Sequence, residues 1–462
     1  MTGRQTATAA PTGVFTQGVR TRRVVTRGRL VSAALPAFCW AWTRAVLLMF
    51  TFKVIPYISH SDIVGDVRTY SQWAVGFAKG GYPQHDPTWQ YPPGAAIVVA
   101  LPRAVHKLTG MSYFSAFYTM ALASDLIIFL AVLYRCWHTA HRRMAARVDY
   151  TGAWAYIAAI FALGPIVYGR YDVIVTMLAV LGLVATTRGT RWTWRLRGVA
   201  IGIGALVKVW PAAIAVGLPK RTDGRRALLW AVVSATATAV ALAALWPGSW
   251  GFLAGQQHRG LEVESVPATP FLIARRLGYP GVIRNQYGAF EITGPGVAEV
   301  AALCELLTVA GFAWLLWWRR KADLGPGRWS TALYFDASLV AVMIAMVTSR
   351  VLSPQYLVWL VALIALCLTL SPPPEADAMA GRHTGSTALT GPCWLLLSAI
   401  SVTQVDFPLL FPRLVHGSRF SAWFMTGRNM LLVAATLWAA RCLWRAIEPP
   451  PPPKAPDDPV TS

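Results

Sequence analysis

Residues 113–134 read YFSAFYTMALASDLIIFLAVLY, twenty-two residues with the single charge of Asp125, and run directly into Arg135, His138, His141, Arg142, Arg143 and Arg147. As a helix this stretch is about 33 Å long, enough to cross roughly 30 Å of hydrocarbon, and the basic cluster at its end marks a cytoplasmic flank. The rest of the chain has the same character. Of 462 residues 55% are hydrophobic and 13% charged, 21 are tryptophan, and the mean hydropathy is +0.46. One globular core cannot hide that much apolar surface. Several stretches approach the length of a spanning helix and none alternates like a barrel strand, so the fold class is an all-α polytopic membrane protein.

The orientation of 113–134 organises its neighbours. Residues 1–29 lack acids and a cleavable signal, and read as a disordered basic cytoplasmic tail ahead of a membrane domain over 30–447. Arginines 20, 22, 23, 27 and 29 send a first helix, about 30–56, outward, which makes 57–92 the first external loop. Within that loop Asp66 to Ala78 predicts an amphipathic helix lying on the membrane, with Tyr70, Trp73 and Phe77 on one face. Residues 93–108, with Pro102 and Arg103, are short, and the orientation favours their not crossing. Spans at 151–168 and 173–187 turn outside at Gly169-Arg170-Tyr171-Asp172.

Residues 198–218 have basic clusters at both ends and Lys208-Val209-Trp210-Pro211 in the middle. A re-entrant hairpin from the cytoplasm satisfies both flanks if protein covers its broken backbone, and an ordinary span with a basic external loop is the competing reading. A helix at 227–246 leads to a second large external loop, 247–295. Spans at about 297–318, 331–351, 355–371, 390–405 and 422–444 follow, and a Pro-rich cytoplasmic tail covers 448–462. The total is about 10–12 membrane helices, with no internal repeat.

The formal net charge of +22 lies in short clusters between apolar segments, the positive-inside pattern, and no basic run carries a nucleic-acid motif. The six cysteines, at 39, 136, 304, 367, 393 and 442, are scattered without metal-ligand spacing, so neither a disulfide framework nor a metal site is expected. No Asp-x-Asp pair, phosphate-cradling glycine loop or nucleophile elbow occurs, which turns attention from nucleotide chemistry to a membrane-borne substrate.

Asp62 and Asp66 are the first acids in the chain, and a carboxylate in an external loop can take a proton from an attacking hydroxyl. Asp62 serves equally well as a helix cap. Asp172 is expected on the same side as Asp66. His258, Arg259, Glu262 and Glu264 form a dense polar cluster there, either a phosphate-binding group or a solvated loop with ordinary ion pairs. Arg350, beside Ser353-Pro354-Gln355-Tyr356, could bind an anionic head group or anchor its helix. Lys208, within an apolar stretch, calls for a partner or a ligand, or snorkels to water. Asp125 and Asp336 call for basic partners.

Taken in order, Asp66-x-x-x-Tyr70, Gly81-Tyr82-Pro83, Tyr91-Pro92-Pro93, Lys208-Val209-Trp210-Pro211, Arg259-Gly260-Leu261-Glu262-Val263-Glu264-Ser265 and Ser353-Pro354-Gln355-Tyr356-Leu357-Val358-Trp359-Leu360 resemble glycosyltransferase family 87. The resemblance runs from about residue 44 to 445. It is to the actinobacterial polyprenol-phosphate-mannose-dependent mannosyltransferases that act on phosphatidylinositol mannosides. It implies a GT-C helix bundle with interfacial helices in the first external loop and an extracytoplasmic active site. It also implies inverting transfer of mannose from a polyprenyl-phosphate sugar to a lipid or glycan hydroxyl, without nucleotide, cofactor or nucleic acid.

By motif the resemblance puts the catalytic base at Asp66. Arg259, Arg350 and Lys208 are then candidates for the donor phosphate. Asp62, Tyr70, Tyr91, Asp172, His258, Glu262, Glu264, Gln355 and Tyr356 are candidates for the acceptor side or its support. Gly80-Gly81-Tyr82-Pro83-Gln84-His85-Asp86 departs from the family pattern on the acceptor side. A lipid-carrier flippase or small-molecule transporter would share the composition, and an arabinofuranosyl or glucosyl transferase would share the mechanism with another sugar.

Overall fold

The computed structural model describes residues 14–57, 63–145, 147–185, 191–220, 222–252, 259–322, 329–372 and 385–448. Its helices are α1 (Val14–Thr51), α2 (Asp66–Ala78), α3 (Ala95–Thr109), α4 (Tyr113–Arg142), α5 (Thr151–Leu163), α6 (Ile166–Gly169), α7 (Asp172–Val184), α8 (Arg191–Val207) and α9 (Thr222–Leu245). Then come α10 (Thr269–Ala274), α11 (Val297–Lys321), α12 (Thr331–Val347), α13 (Leu357–Leu368), α14 (Thr390–Gln404), α15 (Phe411–Val415) and α16 (Arg419–Arg445). Among the described residues five helices are long and apolar enough to cross a membrane: Ser32–Thr51 of α1, α4, α9, α11 and the broken run Thr390–Val415. Four shorter apolar helices accompany them. This is the polytopic helical bundle that the composition requires.

Burial sorts the helices by role. The apolar windows of α9 and α11 are only 11% and 17% buried, as lipid-facing helices must be. Every residue of α13 is buried, and nearly all of α12, so these two form the centre of the bundle. The intramembrane acids are satisfied within the protein: Asp125 on α4 takes Arg44 Nε at 2.8 Å and the hydroxyls of Tyr156 and Tyr168, whereas Asp336 on α12 takes the Thr387 hydroxyl and the Ala388 amide in place of the basic partner expected.

Several expectations change. The helix of α1 begins at Val14, not near residue 30: no proline interrupts Val14–Arg29, and its arginines and Gln17 are good helix formers. The apolar face of α2, Val67, Tyr70, Trp73, Ala74 and Phe77, is buried against α3 and α4 instead of lying on lipid. At 15 residues, α3 reaches about 22 Å, short of the hydrocarbon thickness. The loop 247–295 contains a three-stranded antiparallel sheet, β1 (Leu261–Glu262), β2 (Val282–Gln286) and β3 (Ala289–Thr293), in the order β1-β3-β2. β1 is too short to alternate, and β2, Val-Ile-Arg-Asn-Gln, places two apolar residues before three polar ones, so neither shows the period of a strand.

Residues 198–218 form a hairpin. Helix α8 ends at Val207, and after Lys208-Val209 a 3-10 segment, Trp210–Gly217, leads back. Gly217 accepts from Trp329 Nε1 at 3.0 Å, and Trp329 stacks edge-on against Trp194 near the start of α8, so the chain returns to the end of the bundle where it entered. Helix α9 runs parallel to α8: a Cβ on Gly198 or Gly202 would fall on the carbonyl oxygens of Ala227 and Ala231 respectively. That Gly-x-x-x-Gly face is what lets the two backbones touch.

Candidate active site

A cavity of about 790 Å³ lies where α2, the turn before α7, the tip of the α8 hairpin, the sheet and the α12–α13 connection converge. Its lining includes Asp66, Tyr70, Tyr91, Asp172, Lys208, Arg259, Glu262, Arg350, Gln355 and Tyr356. Ten of the thirteen residues singled out from sequence therefore meet in one place. Asp62 and His258 lie outside the described residues.

Two carboxylates enter the cavity from helix N-termini. Asp66 opens α2 and Asp172 opens α7, where the helix dipole favours negative charge. Asp66 pairs with Arg170, and its side chain retains 36% of its exposure. Asp172 is buried, accepting Lys208 Nζ at 2.6 Å and Trp359 Nε1 at 2.8 Å. The ammonium of Lys208 is also ringed by Tyr356, Trp359 and Tyr171, with centroids at 4.2, 4.9 and 5.4 Å. A lysine so enclosed has its charge answered inside the protein.

The sheet supplies the next layer. Its register places Glu262 directly opposite Glu291, two buried acids that would repel. Arg259 relieves this: its Nε donates to Glu291 at 2.9 Å, while the other Glu291 oxygen takes the Gly260 amide and Gln286. Burial works against the charge of Arg259, but Glu262 and Glu291 outweigh it and hold the guanidinium above its ordinary range. Burial pushes the Glu262 carboxyl upward, opposed by Arg259 and by the hydroxyl of Ser353, which donates to its Oε1. The second oxygen, Oε2, has no hydrogen-bond partner among the described residues. Arg350 pairs with Glu305 at 3.1 Å, and its carbonyl accepts the Glu262 amide at 3.0 Å.

Glu264 departs from the expectation. The Ser265 amide donates to the Glu262 carbonyl at 2.9 Å, closing a turn that sends Glu264 away from the cavity. It lies instead near Arg428, with Nη2 to Oε1 at 4.0 Å, and Asp406 approaches the same guanidinium at 3.5 Å. Burial pushes Glu264 well above the ordinary carboxylate range, against the pull of Arg428.

Four participants escaped the sequence reading. Trp210, Trp359 and Tyr356 form a stack, with neighbouring centroids 5.2 and 4.5 Å apart and planes within 17°, that walls one side of the cavity. Of these only Tyr356 was anticipated. Glu291 belongs to the five-residue strand β3, inside a loop in which the sequence reading expected no strand. Arg170 had a usable signal, since a cation in an apolar stretch beside Asp172 demands a partner. Among the described residues no group of three or more His, Cys, Asp or Glu could hold a metal ion. Such a site can bind an anion against arginines and stack a ring on aromatics, with a carboxylate close by to accept a proton.

A family model described as glycosyltransferase family 87 matches residues 89–349, more than half of the 462 residues. The match contains Tyr91, Asp172, Lys208, Arg259 and Glu262, and it begins after Asp66 and ends before Arg350. No curated protein matches the chain.

Proposed function

The chain belongs to glycosyltransferase family 87, and from that premise we propose that it transfers a hexose, mannose, from a polyprenyl-phosphate donor to a hydroxyl of a lipid or glycan acceptor. Membrane glycosyltransferase activity follows from the family. The donor, sugar and residue roles are our reading. The observation that carries it is one cavity lined by the Asp66 carboxylate, the Arg170, Arg259 and Arg350 guanidiniums and the stacked wall of Trp210, Trp359 and Tyr356.

In this mechanism Asp66 takes the proton of the acceptor hydroxyl while its oxygen attacks the anomeric carbon from the face opposite the phosphate. The bond from that carbon to the phosphate oxygen breaks, and its electron pair leaves on the polyprenyl phosphate, with inversion. Arg259, whose Nη groups have no hydrogen-bond partner among the described residues, and Arg350 counter the charge developing on the leaving group. Lys208, already committed to Asp172, shapes the wall instead of meeting the phosphate. The aromatic wall borders the sugar ring. Tyr70, Tyr91, Gln355 and Tyr356 border the acceptor. In this reading the cavity faces the extracytoplasmic side, with 57–92 and 247–295 as external loops and both termini cytoplasmic.

The test incubates membranes carrying the protein with radiolabelled polyprenyl-phosphate mannose and identifies the labelled product by mass. Wild type labels a lipid or glycan, and Asp66→Asn lowers the rate by about 10²-fold or more while still folding. Full activity in that variant removes Asp66 as the base. Label that crosses vesicles without entering a new glycosidic bond makes the protein a transporter.

A further inference from the structure

Arg170 occupies the centre of the cavity's charge. It opens the short link between α6 and α7, just after Gly169 lets the chain press against the loop leading into α2: a Cβ on Gly169 would lie 2.8 Å from the Ile63 carbonyl. That contact sets the guanidinium beside Asp66, to which Nη1 is paired. Asp172 and Glu262, which line the same cavity, also act on the Arg170 charge, as does the Tyr356 phenol. Its Nε is buried and has no hydrogen-bond partner among the described residues.

The four cations of the cavity are held unequally, and among the described residues Arg350 pairs outward with the exposed Glu305 and not with a carboxylate lining the cavity. Lys208 is fixed by a buried carboxylate and three rings, and Arg259 Nε by Glu291, whose side chain is fully buried. The Asp66–Arg170 pair is only partly buried, at 36% and 21% side-chain exposure, and it joins the loop base to a group that lines the same cavity. Partly exposed ion pairs contribute about 1 kcal/mol or less, so the singly charged phosphodiester of the donor can compete for the guanidinium where it could not compete for Lys208.

We propose that Arg170 is a positioning residue that couples the two substrates: in the empty cavity it holds Asp66 in an ion pair, and an arriving donor phosphate draws it away. This rests on Asp66 being the base. The exchange involves no bond making or breaking. It releases the Asp66 oxygens to accept the hydroxyl proton only once the leaving group is in place, and it brings a third arginine to the charge that develops there. Donor binding thereby precedes activation of the acceptor.

The coupling can be read by binding alone, with a short-chain polyprenyl phosphate as probe and no turnover. Asp66→Asn removes the competing carboxylate, and the probe binds about two- to fivefold tighter than to wild type. Arg170→Gln binds more weakly, and Asp66→Asn in the Arg170→Gln background brings no gain. If the gain from Asp66→Asn persists without Arg170, it is general relief of negative charge and the proposal falls. It falls equally if Arg170→Gln binds as wild type does. Arg170→Lys, which keeps the charge, supports the coupling by restoring part of the affinity, and size-exclusion profiles exclude variants that do not fold. An Asp66→Asn protein that still transfers sugar would overturn the base assignment while leaving this binding pattern intact, so the two failures are distinguishable.

Discussion

Asp172→Asn breaks a well-enclosed ion pair of the cavity without changing its shape. Wild-type Asp172 receives Lys208 Nζ at 2.6 Å and Trp359 Nε1 at 2.8 Å, with side-chain exposures of 3% for the acid and 13% for the lysine. Asparagine keeps an oxygen for Trp359 but leaves the ammonium without a carboxylate. Breaking such a pair costs about 3–5 kcal/mol, and the three rings around Lys208, present before and after the change, keep the loss near the lower end of that range. It falls at the joint between α8 and the 3-10 segment, which rests on that lysine. Lys208→Met, the reverse truncation, strands the buried anion and loses a similar amount. With both charges gone, Asp172→Asn with Lys208→Met should recover most of the loss, because nothing charged is left unpaired. Thermal unfolding of the four proteins in detergent measures this cycle. Single variants as stable as wild type, or a double variant as impaired as the sum of the two, would refute the assignment of Lys208 to Asp172.

Arg259→Lys keeps the charge between Glu262 and Glu291 but loses the forked donor, so the KM for the lipid-linked donor rises about tenfold while folding is retained; steady-state kinetics at fixed acceptor checks it. Glu264→Gln addresses a carboxyl that burial holds well above its unfolded value. Folded protein then binds a proton that unfolded protein has released, so wild-type stability falls as pH rises above the ordinary glutamate range. The variant lacks that slope, and its melting temperature relative to wild type should rise from about pH 5 to pH 8. Gly198→Ala with Gly202→Ala drives methyl groups onto the Ala227 and Ala231 carbonyls, and separating α8 from α9 costs about 1–3 kcal/mol, visible as an earlier melt and faster proteolysis.

Much of the bundle was legible because the relevant signals are local. Hydrophobic length and basic flanks locate spans such as 113–134, and the double basic flank with an internal Lys-Val-Trp-Pro points to the hairpin whose return the Trp329–Gly217 bond demonstrates. The first-loop helix was readable from Tyr70, Trp73 and Phe77 at helical spacing. What covers that face was not, since lipid and protein select the same residue types. The same limit applies to α1, where composition that suits a solvated tail also suits a helix.

Sequence alone determined that the chain is a membrane bundle, that its acids and arginines gather in two loops and at two helix breaks, and which of them deserved attention. It could not determine which charge answers which. Lys208, a phosphate candidate from sequence, is paired with Asp172, 36 positions away, and Glu264, grouped with Glu262 from sequence, is separated from it by a single turn. Arg170 acquired its place only when α6, α7 and the loop before α2 were packed together. Hydropathy and periodicity are sums over neighbours in the chain, whereas a buried ion's partner depends on distances between elements far apart in it. At the low dielectric of a closed site those distances decide which cations are locked and which remain for a substrate.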